Sequence, residues 1–253
     1  MKKAVYILGI LFCLSFSQSI AQDTLVVMKA GQVVYKRAVT EVDSIIFKPT
    51  IPTFTDISGN IYPAITIGTQ TWMGANLRVE KYNDGTPIPL VTDNIVWANN
   101  YTNKTKLPMM AWYNNDKVTH TANKNGALYN FYAVDTKKLC PTGWHVPTDA
   151  EWTTLTTYFG GANDEGLKLK STSGWSDQNG KSTNEVNFTA LPGGVRYNHN
   201  GEFGEVGSYG TWWSASANDT NGVWARFMVG PGDSVYSLLS SQGSGLSVRC
   251  LKD

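Results

Sequence analysis

The stretch CPTGWHVPTDAEW, residues Cys140–Trp152, sets a cysteine, a histidine and two acids close together. Such a cluster belongs either to an active site or to the entry of a helix. Thr148-Asp149-Ala150-Glu151 has the S/T-x-x-E spacing of a capping box, in which the Thr148 hydroxyl accepts from the N3 amide and Glu151 reaches back to the cap amide. Asp149 then falls in the first turn, where its charge meets the positive end of the helix dipole. The helix is expected to run through Trp152, Leu155 and Tyr158 or Phe159, and to stop at Gly160-Gly161. Both acids thus have structural roles, and His145, between Trp144 and Val146, reads as a satisfied, partly buried imidazole. A catalytic Cys140–His145 pair is the alternative; it requires a free thiol.

The fate of that thiol depends on the start of the chain. Lys2 and Lys3 precede an apolar run from Ala4 to Leu14 and a small-x-small ending at Ser19-Ile20-Ala21, the pattern of a secretory signal peptide over residues 1–22. Lipid attachment at Cys13 would want a small residue before it, where Phe12 stands. The mature chain is therefore expected to be exported, extracellular or at the cell surface, with the periplasm left open. No later stretch approaches the roughly 20 apolar residues of a membrane helix. Loss of the leader leaves Cys140 and Cys250 as the two cysteines of an exported chain, and they are expected to pair. Closing so long a loop is worth about 4 to 5 kcal/mol in the chain-entropy account.

Composition narrows the class. Charged residues make up 16% and aromatics 12%, with 24 Gly, too aromatic for disorder and too rich in glycine for a helical bundle. An α+β or β domain rich in loops fits best. A formal charge of +1 offers no basic stripe for nucleic acid.

Outward from the opening stretch the chain reads as short strands and turns. Residues 23–50 form a β-rich appendage with runs at Leu25–Met28, Gln32–Lys36 and Ser44–Phe47 and a turn at Ala30-Gly31; Pro49 and Pro52 break regular structure and set a boundary near residue 51. A hairpin is expected around Ser58-Gly59-Asn60, and another turn at Thr69-Gln70. Residues 91–125 read as an Asn/Thr/Lys-rich connection around an apolar patch at Met109–Tyr113. GALYNFYAV, Gly126–Val134, has helical spacing and is expected to be the first of two main helices.

The strings DISGNIYPAITIGTQTWMGANLRVEKYNDGTPIP, GALYNFYAV, LCPTGWHVPTDAEWTTLTTYFGG, LKSTSGW, FTALPGGVR, GSYGTWWSAS and GLSVRC resemble, in order, the blocks of the Fibrobacter succinogenes major paralogous domain family, over roughly residues 54–253. The resemblance implies a secreted or surface protein of Bacteroidetes-type bacteria, with a C-type-lectin-like fold over residues 51–253. That fold has two helices, small twisted antiparallel sheets and long loops. The family carries no established reaction.

In lectin-like domains the ligand surface is built by the late strands. Within VWARFMV the chain alternates, so Trp224, Arg226 and Met228 face one way and Ala225, Phe227 and Val229 the other. The resemblance implies that the first set is core. Ala225, Phe227 and Val229, with Ser237 and Leu239 on the next strand, are then the expected display face, an apolar patch of the kind that marks a partner site. Some relatives in the superfamily diversify such a face. Trp212 and Trp213 are adjacent on a strand, so at least one should be core, while the other could stack on a sugar. Asp/Asn-rich SANDTNG and GWSDQNG offer oxygen ligands for calcium. Yet the chain lacks the Glu-Pro-Asn or Gln-Pro-Asp triplet of sugar-binding C-type lectins, and Trp175-Ser176-Asp177 matches their Trp-Asn-Asp only in part, so no cofactor is expected. His120, His145 and His199 lack zinc spacing.

A glycosidase pair would have to come from Asp149, Glu151, Asp164, Glu165 or Glu205, and none stands out. Formylglycine-generating enzymes share the lectin-like fold but work through late cysteines, of which Cys250 is the single one here. The expectation is a non-enzymatic ligand-binding or adhesion module that takes a glycan or surface protein on its late strands. A structural subunit of a surface assembly is the next reading, and a secreted hydrolase the third.

Overall fold

The computed structural model describes residues 24–30, 32–38, 51–160, 163–176, 181–218 and 222–253. The expected leader at 1–22 and the expected strand Ser44–Phe47 lie outside the described residues. The chain divides into two compact units, Met1–Thr50 and Ile51–Asp253. In the first, β1 (Thr24–Lys29) and β2 (Gln32–Ala38) form an antiparallel hairpin, with Lys29 opposite Gln32 and Ala30 in the left-handed region at φ 50°.

The second unit is α+β. It opens with β3 (Thr53–Thr55), β4 (Ile61–Ile67) and β5 (Gln70–Met73), joined by tight turns. At the first of these the Asp56 carboxylate accepts from the backbone amides of Ser58 and Asn60 and frees Gly59 to take φ 83°. Two helices follow, α1 (Asn94–Thr102) and, after β6 (Met110–Ala111), α2 (Lys117–Ala122); their caps are Asp93 and Asp116, each accepting from an amide three residues on. Both fall where the sequence reads as a connection. Next come β7 (Leu128–Tyr129) and α3 (Phe131–Asp135), where a single longer helix was expected. Gly126 has φ 81° and lies hard against the Leu77 carbonyl, while Leu128–Tyr129 pairs with β6, so the helix starts only after its Asn130 cap.

The chain then forms β8 (Trp144–His145), α4 (Asp149–Tyr158), α5 (Glu165–Leu169), β9 (Val195–Arg196), β10 (Phe203–Gly204), β11 (Tyr209–Ala217), β12 (Val223–Val229), β13 (Tyr236–Ser240) and β14 (Leu251–Lys252). Five α-helices are therefore present among the described residues where two were expected. Helix α4 carries the capping box as read: Glu151 N–H donates to the Thr148 hydroxyl at 3.3 Å, and the Glu151 carboxylate accepts from Thr148 N–H at 2.8 Å.

The principal sheet has the order β3-β4-β5-β14-β8, so the last strand runs through its interior between β5 and β8. A second sheet is β11-β12-β13. The segment Gly245–Cys250 joins them: it is buried throughout and bonds through its backbone to Arg196, Tyr129, Thr211, Trp213, Leu77 and Met73 in turn. Cys140 and Cys250 are disulfide-bonded at a Cα separation of 6.0 Å.

Two apolar clusters flank this spine. Trp213, Ala225, Val223 and Cys250 belong to one, and Trp212, Trp152, Trp72 and Met228 to the other. Trp212 and Trp213 thus serve opposite cores and are both fully buried, so neither is displayed for a sugar ring.

Between the clusters lies a buried polar hub. The Asn76 amide oxygen accepts from Arg249 Nη2 at 2.8 Å and Trp212 Nε1 at 2.9 Å, while its Nδ2 donates to the carbonyls of Asn125 at 2.8 Å and Leu191 at 3.3 Å. Arg249 also donates to the carbonyls of Met73, Phe188 and Thr189. Arg196 and Lys170 are likewise fully buried and capped by backbone carbonyls, Arg196 by those of Val91, Asp93 and Gly201 and Lys170 by those of Val229, Gly230 and Gly232. Three side-chain cations hold the loops where main-chain oxygens converge.

Candidate functional site

The late sheet sorts its side chains by register. β12 pairs with β13 so that Trp224 meets Leu239, Ala225 meets Leu238, Arg226 meets Ser237 and Phe227 meets Tyr236. Residues directly opposite share a face. Ser237 and Leu239 therefore lie with Trp224, Arg226 and Met228, not with Ala225, Phe227 and Val229 as expected. Arg226 Nη1 donates to the Ser237 hydroxyl across the strands, which fixes the assignment.

The face bearing Arg226 is covered by α4. The guanidinium bonds to the Asp149 carboxylate, the Asp149 carbonyl and the Thr153 hydroxyl, and is 5% exposed. Asp149 thus has a partner on β12 in addition to its place in the first turn of the helix. Met228 is fully buried, whereas Leu239, farther out, is 45% exposed.

The opposite face is closed at one end and open at the other. Val223 and Ala225 are fully buried against Trp213, and Phe131 of α3 packs on that ring at 5.6 Å. Ala225 is therefore core, a correction to the expected display set: it is buried in the cluster that holds Trp213 and Phe131. Toward the other end Phe227 and Val229 are half-buried. Phe227 lies 5.0 Å from the Tyr236 ring, and Tyr209 of β11 stands opposite Val229. Tyr209, Phe227, Val229 and Tyr236 make one half-exposed, largely aromatic patch. Of these, Tyr209 and Tyr236 were absent from the expected set; each stands directly across from a residue that was in it.

The turn bordering this patch is clamped. Lys170 Nζ caps the carbonyls of Val229, Gly230 and Gly232, and stays charged at neutral pH although burial pulls its pKa down to about 8. Glu165 Oε1 accepts from Val235 N–H at 3.0 Å. A Cβ at Gly166 would lie 2.6 Å from the Asp233 carbonyl, so only glycine lets α5 approach the turn this closely. The patch therefore sits on a backbone fixed before any ligand arrives.

The Cys140–His145 alternative fails on geometry. Cys140 is oxidised, and both ring nitrogens of His145 are engaged, Nδ1 with Asp253 at 2.6 Å and Nε2 with Glu151 at 3.1 Å. Burial opposes the imidazolium, but hydrogen bonds to Asp253 and Glu151 outweigh it and the His145 pKa is raised. For Glu151 burial is likewise outweighed, by Thr148 and His145, and its pKa is lowered. The group ties β8, the α4 cap and Asp253 together. Among the described residues no set of three or more His, Cys, Asp or Glu converges as metal ligands, and no helix is long and apolar enough to cross a membrane. Asp177 and part of the SANDTNG loop lie outside the described residues.

No curated protein and no solved structure matches the chain. The family model of the Fibrobacter succinogenes major domain, however, matches residues 65–252, a span that takes in the polar hub, the disulfide, the α4 cap and the late sheet, and on that match the chain belongs to this family.

Proposed function

We propose that the protein is a non-enzymatic, exported ligand-binding module whose contact surface is the open end of the late sheet: Tyr209, Phe227, Val229 and Tyr236. The carrying observation is the half-exposed Phe227–Tyr236 pair, its rings tilted at 5.0 Å, beside a turn held by Lys170 and Glu165. Aromatic side chains give much contact area for little ordering entropy, and a pre-fixed backbone lowers the cost of association. Val229 and Tyr209 extend the patch across the neighbouring strand. The partner class is a glycan or a surface protein, and the setting is the extracellular space or cell surface.

The test is an array of glycans and surface proteins probed with the full mature chain beside a Phe227→Ser/Tyr236→Ser variant. Loss of binding in the variant, at an unchanged melting temperature, supports the surface. Equal binding by both chains removes it.

A further inference from the structure

A second site lies away from the late sheet, where the β3 turn faces the segment leading into β8. Here a cleft of about 310 Å³ opens between Phe54, Lys81, Asn83 and Trp144. Its floor is apolar, from Val79 and Leu139, each 1% exposed. The volume is at the lower end of the range for small-molecule sites, enough for one ring-sized unit.

The walls are set by bonds that do not involve a ligand. Tyr62, Phe54 and Trp144 form a column of stacked rings, with centroids 5.5 Å and 4.1 Å apart, and Arg78 lies over the far face of Tyr62 at 4.6 Å. Both faces of Phe54 are thereby covered, so what it presents to the cleft is its edge, where an aromatic ring carries partial positive charge. The disulfide at Cys140 anchors the Leu139–Trp144 wall. Asp56 also borders the cleft, but it is 6% exposed and its oxygens already accept from Ser58 N, Asn60 N, Asn60 Nδ2 and Tyr62 Oη, so it is committed to the turn.

Beside the apolar Ile57 and Pro141, the rim carries uncommitted polar groups. Among the described residues the side chains of Lys81 and Asn83 form no hydrogen bond or ion pair, unlike the neighbouring Lys138 and Lys117, which pair with Asp84 and Glu80. Thr55 and Thr142, both exposed, add hydroxyls. An apolar floor, a positive ring edge, a free ammonium and a set of amide and hydroxyl groups together match a compact ring with one carboxylate and several hydroxyls.

We infer that this cleft binds a single hexuronate unit, free or within an acidic polysaccharide. The carboxylate meets Lys81 and the Phe54 edge, and the ring hydroxyls meet Asn83 and the threonines. The site is separate from the Phe227–Tyr236 surface and does not depend on it.

The test is calorimetric titration of the full mature chain with glucuronate and galacturonate oligomers and with their neutral counterparts, at low salt. The expected result is binding of an acidic sugar, with the neutral one at least roughly tenfold weaker. Lys81→Gln should weaken acidic-sugar binding by a similar factor without a change in melting temperature, Asn83→Ala should weaken it further, and Phe227→Ser/Tyr236→Ser should leave it unchanged. Equal affinity for acidic and neutral sugars, retention of binding in Lys81→Gln, or no binding of any sugar at about 10 mM overturns the inference.

Discussion

Replacing Asn76 with leucine tests the claim that the unit is organised around a buried polar hub. Leucine keeps the heavy-atom branching of asparagine, is somewhat bulkier and so leaves little room for a rescuing water, and carries no polar atom. The substitution removes the partner of Trp212 Nε1, the partner of the Asn125 carbonyl and one acceptor of Arg249; the Leu191 carbonyl keeps Gly193 N–H. Trp212 Nε1 and the Asn125 carbonyl are left alone at about 1–3 kcal/mol each, and Arg249 loses one of its bonds while keeping those to Met73, Phe188 and Thr189, so with coupling the expected loss is about 3–6 kcal/mol. Against a typical total of about 5–15 kcal/mol this is a large fraction. It corresponds to a melting temperature lower by roughly 6–24 °C for a unit of this size. All nine tryptophans lie between residues 72 and 224, so fluorescence-detected urea unfolding reports the second unit alone. An unchanged denaturant slope with a lower midpoint is the expected signature. A cost below about 1 kcal/mol would refute the reasoning, because it would mean that the hub bonds are replaced without loss.

A Cys140→Ala/Cys250→Ala variant should lose about 4–5 kcal/mol by the loop-entropy argument, read as a lower urea midpoint; a shift under about 1 kcal/mol contradicts it. For His145, the raised pKa means that its contribution is complete below the unfolded value of about 6.5 and is lost as pH rises through the higher folded value. The lowered pKa of Glu151 gives a contribution present above about pH 4.5 and lost as pH falls through the folded value. The stability deficit of His145→Gln should therefore peak between about pH 4.5 and 6.5 and shrink by about pH 9; a deficit flat across that range argues against a charged imidazole. Lys170→Met should release the β12–β13 turn and speed amide exchange at Val235 and its neighbours roughly tenfold or more, with α4 unaffected; unchanged exchange would deny the clamp.

What was legible in the sequence was local. The α4 capping box needs only residues three apart, and the Cys140–Cys250 pair follows from there being no other cysteines after the expected leader. Helices α1 and α2 escaped because they lack an apolar stripe: in α1 Ile95 and Val96 are exposed, and Trp97 and Asn100 are the buried pair. Their capping residues Asp93 and Asp116 were the available signal. The error at the display face has a different source. Alternation along β12 was read correctly, but which residues of β13 share each face depends on the parity of the pairing, and the turn from Gly230 to Val235 sets that parity. That turn is shaped by Lys170 and Glu165, some sixty to seventy residues earlier in the chain, so no local pattern encodes it. Ala225 was misplaced for a related reason, since the cluster of Trp213 and Phe131 in which it is buried cannot be seen from its own strand.

The interior position of β14 bears on the order of events in folding. Arg249 bonds to Met73 across 176 residues, and the segment it belongs to is made after every strand and loop that it joins. Contacts so distant along the chain carry a loop-closure cost before they are rewarded, which slows folding. Until Gly245–Lys252 arrives, β5 and β8 lack the strand between them, the hub lacks its guanidinium and the disulfide lacks one sulfur. A chain truncated before this segment is thus expected to leave its apolar clusters unsealed, because the piece that completes the principal sheet and bridges to the second is missing.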